Sequence, residues 1–361
     1  MNGKTSEMDM LHGPLSGKLL LFTLPIALSS MVQQLFNAAD TAVVGYFGSE
    51  GALAAVGTNT EIIALIVTLS SGLSIGAKIL IANRIGQNEI DELPAAVQTA
   101  MLLAALIGMA GLLLGQAAAA PLLELIQTPN SIFEEAALYL RFYMLGYLFL
   151  LLYDFGTAVL RACGDSRAPF LALMLSGAVN VGLNLFFVVA LHMGVAGVAI
   201  AAALSALLVL RRFKKDELFR LTFRKPQFST KIAGNILKTG VPSAVQGAVF
   251  CFANIFVQAS VNRFGETAIA GSTIAMNFEY FTYYIITAFS QTATTFTSQN
   301  YAAGQRDRCR RILWLCLGLS TVCSTIPIVT ISCSATFSRP FLRRRPRDRE
   351  GRRAHPVHPA L

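Results

Sequence analysis

Charge is what this chain of 361 residues has least of. Asp, Glu, Lys and Arg make up 14% of it, against about 25% in an ordinary water-soluble domain. A soluble globular fold is therefore excluded. Paired cysteines are missing too: Cys163, Cys251, Cys309, Cys316, Cys323 and Cys333 form no CxxC motif and have no histidine cluster nearby. That excludes a disulfide framework and a zinc site, and leaves the cysteines as small apolar packing residues. No Walker motif, metal-ligand spacing or nucleophile–base arrangement is present. Neither an enzyme nor an ATP-driven pump is expected, and no cofactor. A cleaved leader is not expected either, because Glu7 and Asp9 stand where a basic region would be and the apolar stretch that follows is too long.

Apolar residues are present in abundance, at 54% of the chain with a mean hydropathy of +0.57. A membrane-spanning helix needs ~20 such residues in a row. Nine segments qualify: 19–45, 59–82, 95–122, 137–160, 169–191, 194–210, 240–261, 268–297 and 312–337. None alternates with a two-residue period, so they read as helices and not barrel strands. The expected fold class is an all-α polytopic protein crossing a lipid bilayer many times.

The net charge of +9 is unevenly placed. With the N-terminus inside, the inner segments hold Lys4, Lys18, Lys78, Arg84, Arg161, Arg167, nine basic residues between Arg211 and Lys238, and Arg306, Arg308, Arg310 and Arg311; the outer loops hold only Arg141 and Arg263. The positive-inside rule then makes the N-terminus cytoplasmic. The run "RRFKK" reads as a topology signal in a cytoplasmic loop, and nucleic-acid binding is not expected.

The chain repeats itself at an offset of 217–218. Pro25 falls over Pro242, Phe47-Gly48 over Phe264-Gly265, Glu61 over Glu279, and "IGQNE" (85–89) over "AGQRD" (303–307). Six spans separate the two starts, an even number, so the copies share one orientation and form parallel lobes. The expected division is a six-helix lobe at 1–210, a cytoplasmic linker at 211–239, a partial lobe of about three of six helices at 240–337, and an Arg/Pro-rich tail at 338–361. Eight arginines in that tail fall on the outer side, which suggests a shifted reading frame as its origin.

Asp40 lies inside the first apolar stretch. A buried acid in a span costs ~2.5–3.5 kcal/mol, and such residues usually serve an ion pathway. Its repeat mate is Val257, so only one lobe carries the acid. Asn37 precedes it by three positions on the same helix face, and Asn180 and Asn184 share a face of span five. Carboxamide oxygens suit hard cations, although interhelical bonding is an equally ordinary use of Asn. Glu279 sits within "NFEYFTYY" beside Tyr280 and Tyr283, aromatic faces that suit a cationic ligand; Asp154 is a further acid within a span. Pro25 and Pro242 are candidate hinges. "GDSRAP" (164–169) reads as an inner turn.

The segments "LPIALSSMVQQLFNAADTAVVGYFGSEGALAAVG", "SSGLSIGAKILIANRIGQNE", "LRACGDSRAPFLALMLSGAVNVGLNLFFV", "HMGVAGVAIA" and "TSQNYAAGQRDRCRRIL" resemble the multidrug and toxic compound extrusion transporters, in their bacterial cation-coupled branch. The resemblance implies twelve helices in two lobes, a plasma-membrane location, and export of drug-like molecules in exchange for sodium ions or protons. It also implies a coupling aspartate at Asp40, with polar residues of span five around it, and an Asn in many relatives at the place of Asp154. A lipid-linked precursor flippase of related fold is the alternative, expected to carry an arginine-rich cavity of which the first six spans give little sign. A third is an inactive fragment.

Overall fold

The computed structural model describes residues 8–47, 50–126, 128, 130–190, 228–262 and 266–342. The expected span 194–210, most of the linker, and the tail beyond residue 342 lie outside them. Eight α-helices run through the described residues: α1 (Leu15–Phe47), α2 (Glu50–Gly86), α3 (Leu93–Leu125), α4 (Asn130–Ala162), α5 (Arg167–Asn184), α6 (Thr230–Asn262), α7 (Glu266–Ala302) and α8 (Arg306–Leu342). A short 3₁₀ turn (Ile90–Glu92) leads into α3, and α5 ends in a π-helical turn (Leu185–Ala190).

Most helices outrun their apolar segments at both ends. A helix of 33 residues such as α1 is ~50 Å long at 1.5 Å per residue, while the hydrocarbon layer is ~30 Å thick. The extra turns belong to the headgroup region, where polar residues are tolerated. The longest extension at a single end is the N-terminal one of α6, which begins at Thr230 within the stretch read as linker. Ser229 Oγ accepts the N–H of Ile232 there (3.4 Å), a cap for the first turn. Ala233 and Ile236 are buried while Lys231, Gly234 and Asn235 are exposed, so this turn is amphipathic and docks by one face. Lys78, taken as an inner-loop charge, lies eight residues before the end of α2 and is only 4% exposed. The apolar run around it, "SIGAKILIA", continues the helix straight through it.

In the first half, α4 packs against α2 and α3, and α1 packs against α5. The second half packs α7 on α8. Between the halves, α2 lies on α6 and on α7, and α1 lies on α7.

Small residues let α2 and α6 approach. A Cβ on Gly76 would stand 2.1 Å from Ile236 O and 2.9 Å from Gly240 N, and one on Gly240 would stand 2.6 Å from Leu73 O. In lipid there is no hydrophobic drive between helices, so backbone approach of this kind supplies much of the packing energy. Apolar side chains fill the rest. One core joins α2, α3, α4 and α6 through Ala100, Leu140, Leu151, Phe155 and Ile236. Another joins α1, α7 and α8 through Leu19, Phe22, Ile26, Phe296 and Ile312, with Phe22 and Phe296 edge to face at 5.5 Å.

Candidate functional site

The two halves meet along α1, α2, α6 and α7, and the polar residues of that seam define the candidate site. Tyr284 on α7 donates its hydroxyl to Gln34 Oε1 on α1 at 3.0 Å. Cys251 on α6 meets Thr68 Oγ1 on α2 at 3.4 Å. Around these bonds the aromatic rings stack: Phe250 on Tyr283 at 6.1 Å and 5°, Tyr280 on Tyr284 at 6.2 Å and 20°. Glu61 from α2 and Glu279 from α7 both lie within electrostatic range of Tyr280, and both are exposed. Glu279 adjoins Tyr280 in the chain, and Glu61, its repeat mate, comes into range of the same tyrosine from α2. Tyr280 and Tyr283 are exposed too, at 39% and 43%, each with a neighbouring ring stacked on it.

Span-five residues sit elsewhere, within the first half. Asn180 is buried on α5, and α5 packs on α1. The register is set by Gly177, whose absent side chain makes room for the Phe36 ring: a Cβ there would stand 1.7 Å from Phe36 Cε2. Asn180 lies three residues beyond that contact along α5, and Asp40 four residues beyond Phe36 along α1. The side chains of Asp40, Asn37 and Asn184 lie outside the described residues; Asp40 and Asn37 belong to α1, and Asn184 is the last residue of α5. Pro25 is buried within α1 and Pro242 exposed within α6, with helix on both sides of each.

Asp154 is not part of the tyrosine cluster. It lies on α4, and its Oδ2 is buried with no hydrogen-bond donor among the described residues. Arg161, two turns on along the same helix, lies within electrostatic range of both Asp154 and Lys78. Its Nη1 donates across the seam to Gln291 Oε1 on α7 at 2.6 Å. Beside it, Gln299 Nε2 donates to Ala162 O (2.7 Å), and Thr23 Oγ1 on α1 donates to Thr292 Oγ1 on α7 (2.8 Å). These bonds join the halves at the end of the bundle where α1 begins.

Several of these residues were not singled out from the sequence. Lys78 is a buried cation and Arg161 a half-buried one, and neither stood out in the sequence as part of an inter-helix contact. Gln34 and Gln291 supply inter-half bonds, and the only advance sign was a polar side chain inside an apolar run, as in "MVQQLF". The turn at 164–169 is as expected: Gly164 has φ +93°, and Asp165 Oδ1 accepts the N–H groups of Arg167 and Ala168, each at 2.9 Å, capping α5.

Known proteins resemble the chain over most of its length. The family described as MatE matches residues 25–186 and 242–344. A probable multidrug resistance protein of Bacillus subtilis, YoeA, is 24% identical over 323 residues, covering 86% of this chain and 70% of the relative. An FAD transporter of Shewanella oneidensis is 24% identical over 342 residues, covering 92% of this chain and 75% of that one. Among solved structures, the outward-facing conformation of a multidrug resistance MATE family transporter of the MOP superfamily superposes with a TM-score of 0.83 at 23% identity, covering 91% of this chain and 74% of the other. The chain spans 60 to 75% of the length of the four curated relatives YoeA, YpnP, the NorM of Thermotoga maritima and the FAD transporter.

Proposed function

The chain belongs to the MatE family, and from that premise we propose that it exports amphipathic, often cationic, drug-like molecules by antiport against sodium ions or protons. The observation that carries this reading is the seam between the halves. Glu61 of α2 lies within electrostatic range of Tyr280 on α7, which Glu279 adjoins in the chain, and both carboxylates and the tyrosines Tyr280 and Tyr283 are exposed there. Negative charge against an aromatic face selects a bulky organic cation, by Coulomb attraction and by the ring quadrupole. A nucleotide cargo such as that named for the Shewanella relative would be repelled by the same pair. The flippase alternative needs concentrated positive charge around the cargo, whereas the residues about Tyr280 include the acids Glu61 and Glu279.

Asp40 is the proposed coupling residue. The packing of α5, which carries the buried Asn180, on α1 supports a first-half ion site in which Asn37, Asn180 and Asn184 supply oxygens, with the ion and the cargo held in different parts of the molecule. A carboxylate in such a place exchanges a proton or sodium ion as the halves rock, with Pro25 and Pro242 as hinges. The proposed orientation puts the N-terminus in the cytoplasm and the protein in the plasma membrane, in keeping with the distribution of basic residues.

Reconstitution in liposomes with imposed sodium and proton gradients tests the reading. Uptake of a fluorescent organic cation into the lumen is expected to follow one of the two gradients, and Asp40→Asn is expected to abolish that dependence. Unchanged gradient-driven transport in Asp40→Asn sinks the assignment. Running this chain beside a version extended to twelve spans separates loss of coupling from an incomplete second lobe.

A further inference from the structure

The residues ahead of α1 are bonded to both halves of the molecule. Met8 N–H donates to Gly164 O in the α4–α5 turn of the first half, at 3.2 Å. From the second half, Asn300 Nδ2 on α7 donates to Met10 O at 3.1 Å. The guanidinium of Arg308, on the first turn of α8, donates to the carbonyls of Gly13 (3.0 Å), His12 (3.2 Å) and Met10 (3.3 Å). The Met10 side chain is 1% exposed in the core shared by α1, α7 and α8.

The local fold of this segment fits that placement. Asp9 Oδ1 accepts the N–H groups of Leu11 and His12 (2.9 and 3.2 Å), and Lys18 Nζ donates to the carbonyls of Asp9 and His12 (2.6 and 2.7 Å). Gly164 is needed on two counts. Its φ is +93°, and a Cβ on it would stand 2.7 Å from Met8 O and 2.9 Å from Met8 N. A segment leading into a helix has no structural need to give three carbonyls to one arginine of a distant helix. The planar fork of an arginine is what can gather them.

We infer that Met8–Gly13 is a removable strap across the end of the bundle where α1 begins, joining the two halves, and that opening of this end requires its release from Asn300 and Arg308. The inference rests on the proposed rocking of the halves. It adds a gate outside the spans, made of backbone carbonyls held by one cation, that acts alongside the inter-half bonds of Arg161 and Gln299. Either half moving away from the other must break one set of the strap's bonds, because the segment is too short and too well held at Met10 to follow both.

Native cysteines report on the two ends. Cys163 adjoins Gly164 under the strap, and Cys251 lies ~32 Å along α6 from its start at the strapped end. Full-length single-cysteine versions that retain one or the other are placed in lipid nanodiscs, where both ends meet buffer, and labelled with a hydrophilic maleimide. In Arg308→Ala and in Gly164→Val, labelling of Cys163 is expected to rise about tenfold, as losing a hydrogen bond to a charged donor implies, while labelling of Cys251 falls as the far end closes. Arg308→Lys, which keeps the charge and loses the fork, gives an intermediate shift and guards against misfolding of the other variants. A rise at Cys163 with Cys251 unchanged means local fraying and overturns the strap, as does no change at either. The readout is conformation and not transport, so its failure is distinguishable from failure of the export reading.

Discussion

The contact between α2 and α6 makes a sharp prediction at Gly76. Replacing it with Ala adds one methyl group, and that methyl meets backbone: Ile236 O at 2.1 Å and Gly240 N at 2.9 Å. Ordinary contact begins near 3.4 Å, so the helices must separate by about 1.3 Å, since neither a carbonyl nor an amide in a helix can rotate away. Forced overpacking of this kind costs ~1–3 kcal/mol, a shift of roughly 5- to 150-fold in any equilibrium that keeps this contact in one state only. Gly234 is the internal control. It lies on α6, and a methyl added there would have nothing within 4 Å of it, so Gly234→Ala is expected to be neutral or to stabilise by up to ~1 kcal/mol through helix propensity. Thermal unfolding of both variants in nanodiscs, followed by tryptophan fluorescence of Trp314, measures the difference. Equal melting temperatures for Gly76→Ala and Gly234→Ala would refute the close-packed seam, and with it the account of how the halves are held.

Other expectations follow from the site. Glu61→Gln and Glu279→Gln are each expected to weaken binding of an organic cation severalfold, the double variant more, and to leave a neutral analogue of the same shape unaffected; equilibrium dialysis of both ligands checks this, and equal losses for the two would remove the electrostatic argument. Gln291→Ala leaves Arg161 Nη1 without its partner across the seam, at a cost of ~1–3 kcal/mol, visible as a lower melting temperature, whereas Gln291→Glu adds an opposite charge and is expected to tighten the same contact. Asp9, outside the spans, gives the pH dependence of the strap. Partial burial pushes its carboxyl up, but the N–H groups of Leu11 and His12 and the charge of Lys18 outweigh it and hold the group below the usual carboxylate range. A depressed value stabilises the folded state above the unfolded value of ~4 and loses that effect as pH falls through the folded value. Labelling of Cys163 is therefore expected to be flat from about pH 5 to 8 and to rise only in stronger acid; a rise between those limits would contradict the placement of Asp9.

The spans were legible because lipid imposes a one-dimensional rule: each crossing needs an unbroken apolar length with its backbone bonded internally. Segment 95–122 was placed within three residues of both ends of α3, and 137–160 within two of the C-terminal end of α4, on that rule alone. Helix ends were less legible, since turns beyond the hydrocarbon layer obey docking and capping, as at Ser229 and Asp165. The repeat offset paired Glu61 with Glu279 without any coordinates, because proline, glycine and acidic landmarks stand out against apolar sequence. That Glu61 comes into range of Tyr280, the neighbour of Glu279, could not be read that way, since nothing in an offset says which faces of α2 and α7 turn toward each other. Lys78 was misread for the same reason. A basic residue near a span end is a topology signal if it reaches water and a buried cation if a neighbouring helix covers it, and only the packing of α2, α4 and α7 decides between the two. The family and the membrane class were thus set by composition and order along the chain, while the gate and the seam belong to tertiary structure, where residues hundreds of positions apart are brought within hydrogen-bonding distance.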